Sequence, residues 1–332
     1  MSMPSKLHAS IILTYRCNAK CNMCNAWNHP SKPDEEIGLD VIDRLPSMFF
    51  TNITGGEPFI RQDLPEIVAA LSKKSKRIVI STNGYFSERI VDLSRRFPGV
   101  GIRISIEGLA KVNDQIRGIP DGFDRAMRTL LMLRELGLQD IGFGMTVQDS
   151  NAKDLIYLYY IARSLGYEFA TATLHNSHYF HKLDNRIEHK EEVIREFEKL
   201  IRLLLKSKKV KEWFRAYFNC GLINYIKGCE RLLPCEMGID GFFVDPWGDV
   251  LPCNGMDEKH SMGNLREQPW DAIWNSRKAN DVREMVGKCE KNCWMIGSAA
   301  PAIWRHPKQP VLWVLRNKIR IMFNGNIVTL DL

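Results

Sequence analysis

Short apolar runs alternate with longer stretches in which apolar side chains return every three or four positions. The runs Ala9–Thr14, Phe49–Thr54, Arg77–Thr82, Gly101–Ile106, Ile141–Val147 and Phe169–Leu174 read as strands. Helices between them centre on Leu39–Leu45, Leu64–Lys73, Glu88–Arg96, Phe123–Leu136 and Ala152–Leu165. Pro65 suits a first helical turn, and Gly137 and Gly166 suit helix stops. Parallel strands need long crossovers, so six βα repeats of this length predict an α/β fold with a parallel sheet.

Beyond Leu174 the pattern changes. Residues 175–228 read as a helical connector. His175, His178 and His181, with Tyr179 and Phe180 between them, have no evident fourth ligand and read as a loop at the sheet mouth rather than a metal site. A charged helix, Glu188–Lys206, carries Ile194, Phe197, Leu200, Ile201 and Leu204 at helical spacing, and a second, about Trp213–Lys227, carries Cys220. Phe242–Val244 and Val250–Leu251 flank Asp245-Pro-Trp-Gly248 and predict a β-hairpin. In the tail, Val311, Leu312, Leu315, Ile319, Ile321, Met322 and Phe323 share one apolar arc at about 100° per residue. Arg316, Asn317 and Arg320 lie opposite, with Trp313 among the polar residues, and Lys318 interrupts the arc on a stem that can snorkel. Such a helix either covers the barrel or lies on an anionic membrane.

Composition narrows the class. The 332 residues are 45% hydrophobic with a formal net charge of +7, enough for one large domain and a smaller one. Lysines and arginines are interspersed with acids, which argues against a nucleic-acid partner. No apolar run is long enough to span a membrane and no signal peptide opens the sequence. Nine cysteines, odd in number and unevenly clustered, point to metal ligation in a reducing cytoplasm rather than a disulfide framework.

The cysteines carry the chemistry. Cys17, Cys21 and Cys24 form a Cys-x3-Cys-x2-Cys run directly after the first strand. Thiolates this close suit a soft metal centre such as an iron–sulfur cluster; a zinc loop is the plain alternative. With Gly55-Gly56-Glu57-Pro58 after the second strand, the run resembles the radical S-adenosylmethionine (SAM) superfamily over about residues 9–175. The resemblance implies a partial (β/α)6 TIM-type barrel rather than a doubly wound sheet, with catalytic groups at the C-terminal strand ends. It also implies a [4Fe–4S] cluster with one iron open to SAM, an electron donor such as flavodoxin or ferredoxin, and a 5′-deoxyadenosyl radical. By the same resemblance Gly55, Gly56 and Glu57 meet the SAM amino group, Ser81 and Asn83 its ribose, and Ser105 and Arg117 its carboxylate. Thr146 and Leu174 end strands five and six at the same mouth. Met23 stands where many relatives carry an aromatic residue.

A second cysteine group comprises Cys229, Cys235, Cys253, Cys289 and Cys293. Around the predicted hairpin it is similar to the SPASM and twitch extensions of radical SAM enzymes, which carry auxiliary clusters; zinc is again the alternative. Six cysteines remain after the first three, and two four-ligand clusters need eight, so one auxiliary [4Fe–4S] cluster is expected. Cys235, Cys253 and Cys293 are expected ligands, with Cys289 preferred over Cys229 as the fourth, although the register of two-cluster relatives favours Cys229. Cys220, and whichever of Cys229 and Cys289 is spare, are candidate thiol hydrogen-atom donors. The expected layout is a barrel over 1–180, a connector over 181–228, a cluster domain over 229–300 and an amphipathic tail over 301–332. The expected activity is hydrogen abstraction from a sugar-like or aminocyclitol substrate, leading to oxidation or epimerisation. The reason for that choice is that no room for a leader-binding domain precedes Cys17. Modification of a ribosomal peptide or protein is the alternative; a non-catalytic scaffold or electron-transfer protein is a third reading, disfavoured by the intact Gly55-Gly56-Glu57.

Overall fold

A computed structural model describes residues 6–324. Strands β1 (His8–Ile12), β2 (Phe50–Thr54), β3 (Ile78–Thr82), β4 (Gly101–Ser105), β5 (Ile141–Val147) and β6 (Glu168–Thr173) run parallel and pair in chain order. Between them lie α1 (Leu39–Ile42), α2 (Leu64–Ser72), α3 (Ser87–Arg96), α4 (Ala110–Arg117), α5 (Gly122–Glu135) and α6 (Leu155–Leu165). The periodicity predicts all of these but α4, which offers only Val112 and Ile116 as a stripe and ends at Gly118 with φ 58°.

The faces of the sheet differ in chemistry, and this makes it a barrel wall. Ile11, Ile53, Ile80, Ile102, Ile104, Phe143, Met145 and Phe169 point outward beneath the helices and are buried. The register puts Asn52, Ser81, Arg103, Ser105, Gly144, Thr146, Ala170 and Ala172 on the other face, where burial is only partial. Parallel strands covered on both sides are apolar throughout; small and polar residues on one face mark a concave surface left open. The sheet does not close on itself, since β6 and β9 are its edges.

The C-terminal region extends this sheet. After α7 (Lys190–Lys206) and α8 (Val210–Lys227), the hairpin forms as β7 (Gly241–Val244) and β8 (Asp249–Leu251), followed by β9 (Gly263–Asn264). β7 pairs parallel with β1, Ser10 opposite Phe243, so the hairpin continues the barrel wall instead of standing apart on metal alone. Asp245 caps the hairpin turn by accepting from the N–H groups of Trp247 and Asp249, at 3.0 and 2.9 Å. Helices α9 (Trp270–Trp274), α10 (Arg277–Gly287), α11 (Ile296–Arg305) and α12 (Lys308–Asn324) complete the described chain.

Trp294, 1% exposed, ties the two regions together. Its indole N–H donates to the Phe218 carbonyl of α8 at 2.9 Å, and the Arg231 guanidinium lies 5.1 Å from its ring centre. Gly221 makes room for it, since a Cβ there would overlap the indole. A Gly221→Ala substitution gains up to about 1 kcal/mol of helix propensity but overpacks this contact, a cost of about 1–3 kcal/mol, and disturbs a buried hydrogen bond worth about 1 kcal/mol. The expected outcome is a net loss of roughly 2 kcal/mol in urea unfolding followed by circular dichroism; a gain in stability would contradict this packing account.

Candidate active site at the strand ends

The segment leaving β1 is held before it reaches the first cysteine. Glu36, on the approach to α1, accepts from Thr14 Oγ1 at 2.5 Å, Ser31 Oγ at 2.7 Å and Arg16 Nε at 2.9 Å, and its other oxygen accepts from Arg16 Nη2 at 2.7 Å. Arg61 closes the same layer by donating to the Leu13 and Ile37 carbonyls at 3.0 and 2.8 Å. Gly55 and Gly56 lie flat against this segment. Gly56 N–H donates to Thr14 O at 2.7 Å, and a Cβ on either glycine would overlap the Thr14 or Arg16 backbone. Close chain approach, more than turn geometry, demands the glycine pair.

The cysteine loop then docks on α4. Lys20 N–H donates to Arg117 O at 3.0 Å and Asn22 N–H to Ile116 O at 2.9 Å. Cys17, Cys21 and Cys24 border one apolar cluster with Ala19, Met23, Ile116, Ile119 and Leu174. None of the nine cysteines is in a disulfide. Burial pushes the Cys17 thiol up to about 12 and Cys24 up to about 11, and it raises Cys21 against the opposing pull of Arg117.

The other expected contacts converge on the same mouth. Asn83 donates from Nδ2 to Asn18 Oδ1 at 2.7 Å, and Ser81 Oγ donates to Asn52 at 3.0 Å on the concave face. Arg117 donates to Glu107 at 3.0 Å, and the second Glu107 oxygen accepts from Thr146 N–H at 2.6 Å. Ser105 and Thr146 lie half-buried on the concave face, and Leu174 walls the cysteine cluster. Glu57 sits deeper than the glycines beside it. It is fully buried, and its carboxylate accepts from Phe59 N–H, Thr82 Oγ1 and Asn83 N–H, at 3.1, 2.8 and 2.7 Å. It braces two loops from beneath.

The histidine loop closes over the cysteines. Asn25 N–H donates to Phe180 O at 2.7 Å, and Tyr179 Oη contacts Gly55 O at 2.8 Å and Thr54 Oγ1 at 3.0 Å. His181 stacks on His29 at 4.7 Å while His175 packs on Phe180 at 5.0 Å, so these two histidines serve separate contacts. Tyr179 and Glu107 have no role assigned from the sequence, yet both join this network. Their one signal was position, in a loop and at a strand end aimed at the mouth.

In the second group, burial raises Cys253 to about 11, and Cys235 and Cys293 both stand close enough to add to the rise. Cys293 in turn feels Cys289. Cys229 and Cys293 both line a cavity of about 370 Å³, which Ser177 and Leu183 of the connector border on the other side. Tyr15, Ile12 and Phe243 form an apolar cluster touching Cys24 from one group and Cys235 and Cys253 from the other. Cys220 belongs to neither group. It is 4% exposed in the main core, its thiol pushed up to about 12 by burial, so its place is packing rather than the mouth.

Residues 11–158 match the Radical SAM superfamily model, and residues 235–294 match SPASM, an iron–sulfur cluster-binding domain. The chain carries a radical SAM domain and a SPASM domain. Among curated relatives, it is 27% identical over 311 residues to the AdoMet-dependent heme synthase of Methanosarcina barkeri (strain Fusaro / DSM 804), covering 83% of this chain and 85% of that one. It is 25% identical over 293 residues to the antilisterial bacteriocin subtilosin biosynthesis protein AlbA of Bacillus subtilis (strain 168), covering 82% of this chain and 60% of that one. Across the first curated relatives, the matched share of their length runs from 37% to 85%. The fold is similar to the solved structure of native anSMEcpe with bound AdoMet and Cp18Cys peptide, at TM-score 0.63 and 14% identity, covering 96% of this chain and 99% of that one.

A radical SAM domain implies a [4Fe–4S] cluster and SAM, and a SPASM domain implies auxiliary iron–sulfur chemistry. The donor set present fits. Both cysteine groups offer free, neighbouring thiols, of which Cys17, Cys21, Cys24, Cys235 and Cys253 lie against apolar clusters, and Asn18 Nδ2 at the first is buried without a partner. Among the described residues no three His, Cys, Asp or Glu side chains converge tightly enough for a single metal ion, so the fit rests on the thiols as iron donors. Thiols held this far up would bind iron with release of their protons.

One consequence concerns acid. Burial pushes Glu36 up, but its bonds from Arg16, Thr14 and Ser31 outweigh that and hold the carboxyl below its usual range. Its stabilisation is therefore full above the unfolded value of about 4.3 and is lost as pH falls through the lower folded value. Glu36→Gln should cost about 2 kcal/mol at neutral pH and flatten the acid limb of the stability profile. Unfolding measured at stepped pH checks this, and an unchanged acid limb would contradict it.

Proposed function

We propose that this radical SAM enzyme modifies a peptide or protein, with Cys17, Cys21 and Cys24 holding the cluster that meets SAM. The observation that carries the substrate reading is the open concave face. From Ser81 through Ser105, Gly144 and Thr146 to Ala172 it presents small and polar residues beside the cysteine loop. Such a surface suits an extended polar chain better than the enclosed pocket a small sugar needs. Resemblance to AlbA, whose name places it in bacteriocin biosynthesis, supports the same class. This replaces the sugar-like or aminocyclitol substrate, which the relatives do not favour.

A [4Fe–4S] cluster held by Cys17, Cys21 and Cys24, with SAM bound, would supply a 5′-deoxyadenosyl radical able to take a hydrogen atom from an unactivated C–H bond. The protein's own groups position it. Arg117, oriented by Glu107, would offer a planar fork to the SAM carboxylate, the Gly55 and Gly56 backbone would meet its amino group, and Leu174 and Met23 form an apolar wall. Cys235, Cys253, Cys289 and Cys293 hold one auxiliary cluster in this proposal, and Cys229 remains a free thiol on the cavity wall. The reducing electron comes from a flavodoxin- or ferredoxin-type donor. A second reading, chemistry on a tetrapyrrole, draws on the heme synthase match across most of both chains.

Iron and product analysis test the ligand sets. Reconstituted protein should hold about eight irons, two four-iron clusters. Replacing Cys17, Cys21 and Cys24 together by Ala should leave about four and abolish 5′-deoxyadenosine formation. Cys289→Ser should disturb the auxiliary cluster while Cys229→Ser leaves it intact, as read by Mössbauer spectroscopy; the reverse result would exchange their roles.

For the substrate, a heat-stable extract of the source cells should stimulate SAM cleavage, and protease treatment should remove that stimulation. Stimulation that survives protease, or that coproheme alone reproduces, would overturn the peptide reading.

A further inference from the structure

The C-terminal helix packs by the side its hydropathy did not favour. α12 lies on α7 and α8. Inward-facing Trp313, Val314 and Asn317 are 9%, 5% and 2% exposed, and the Trp313 ring meets the edge of Tyr217 at 5.6 Å. Lys318 sits 3.9 Å from the Trp213 ring centre and donates to the Leu205 carbonyl at 2.9 Å. These contacts use tryptophan and lysine, which combine apolar bulk with a polar tip.

The expected apolar arc consequently faces out, except for Ile321, which is partly buried against the core. Leu312, Leu315 and Ile319 are 53%, 52% and 56% exposed, and Met322 and Phe323 are 78% and 79% exposed. With Val311 they fill a sector of about 120° at 100° per residue. Exposed Arg316 and Arg320 follow along one margin, and Lys318 marks the other. A contiguous exposed apolar strip on a soluble surface marks an interaction site. The charges select its partner. From Lys291 to Leu330 the sequence contains no Asp or Glu, while it carries Lys291, Arg305, Lys308, Arg316, Lys318 and Arg320.

We infer that α12 is an interfacial membrane helix, which seats its outward apolar strip in the acyl boundary of an anionic phospholipid surface and sets Arg316 and Arg320 among the headgroups. An apolar face buried a few ångströms deep with cations along its edges is the geometry of in-plane amphipathic helices. No helix among the described residues is long and apolar enough to cross a membrane, so the helix lies on the surface. A second copy of this chain answers the charge poorly, because its own α12 would bring more arginine and no acid. An anionic bilayer supplies both the apolar depth and the negative charge.

Sedimentation with sucrose-loaded vesicles tests this on the full-length, cluster-loaded protein. Phosphatidylcholine alone is compared with an equal mixture of phosphatidylcholine and phosphatidylglycerol. Wild type should pellet with the mixed vesicles at least about tenfold more than with the neutral ones, and high salt should release it. Leu315→Glu combined with Ile319→Glu should lower that binding at least about tenfold, with SAM cleavage and the unfolding midpoint unchanged, since both side chains already face water. Arg316→Glu combined with Arg320→Glu spares the packed face and should cost about tenfold on mixed vesicles only; it keeps the test valid should the first variant disturb the helix. Wild type remaining in the supernatant with mixed vesicles would overturn the inference. So would equal pelleting of wild type and both variants. Sedimentation velocity without lipid should show a monomer; a dimer that dissociates in the Leu315→Glu, Ile319→Glu protein would overturn it too and assign the face to a second copy.

Discussion

Three buried carboxylates hold the mouth of the barrel in shape. The C-terminal ends of parallel strands leave backbone N–H groups without ladder partners, and these must be satisfied while the loops stay clear of a ligand. Glu36 gathers Thr14, Ser31 and Arg16 behind the first strand. Glu57 gathers the turns after β2 and β3, and Glu107 joins Arg117 to the end of β5. Burial pushes Glu57 and Glu107 up, and their hydrogen bonds pull the other way. Buried charge of this kind holds only while every bond is made, which makes the loops a single connected unit.

On that frame the thiols fall into place. The cysteine loop is pinned from below by the glycine pair and from the side by α4, and from above by Phe180 and Tyr179. The SPASM region reaches the same spot by adding β7 to the free edge of β1. A shared apolar cluster then links both cysteine groups, so the barrel wall and the cluster domain are one packed object at this point. Trp294, next in chain to Cys293, anchors the far side of that domain on α8.

The concave face gives this arrangement its reach. Apolar residues go outward beneath the helices and small polar ones go inward, so the sheet is both the main core and an accessible wall. The same inversion recurs at α12, where an apolar arc faces water and the indole of Trp313 faces the core.

Local pattern alone determined much of this protein. The six βα units and the thiol spacing after β1 follow from periodicity and short-range chemistry, which act over a few residues, whereas the barrel-like strand order came only with the family resemblance. The hairpin at Asp245-Pro-Trp-Gly248 was legible for the same reason. Tertiary structure decided the rest. That β7 would extend β1, that Arg117 would find Glu107, and that Cys220 would fill the core while Cys229 reached a cavity depend on partners far away in sequence. α12 shows the limit most plainly. Periodicity says that a helix has an apolar face, but it does not say which neighbour waits to receive one. Tyr217, Trp213 and Leu205 met the Trp313 and Lys318 side better, and packing against those particular surfaces turned the apolar arc outward.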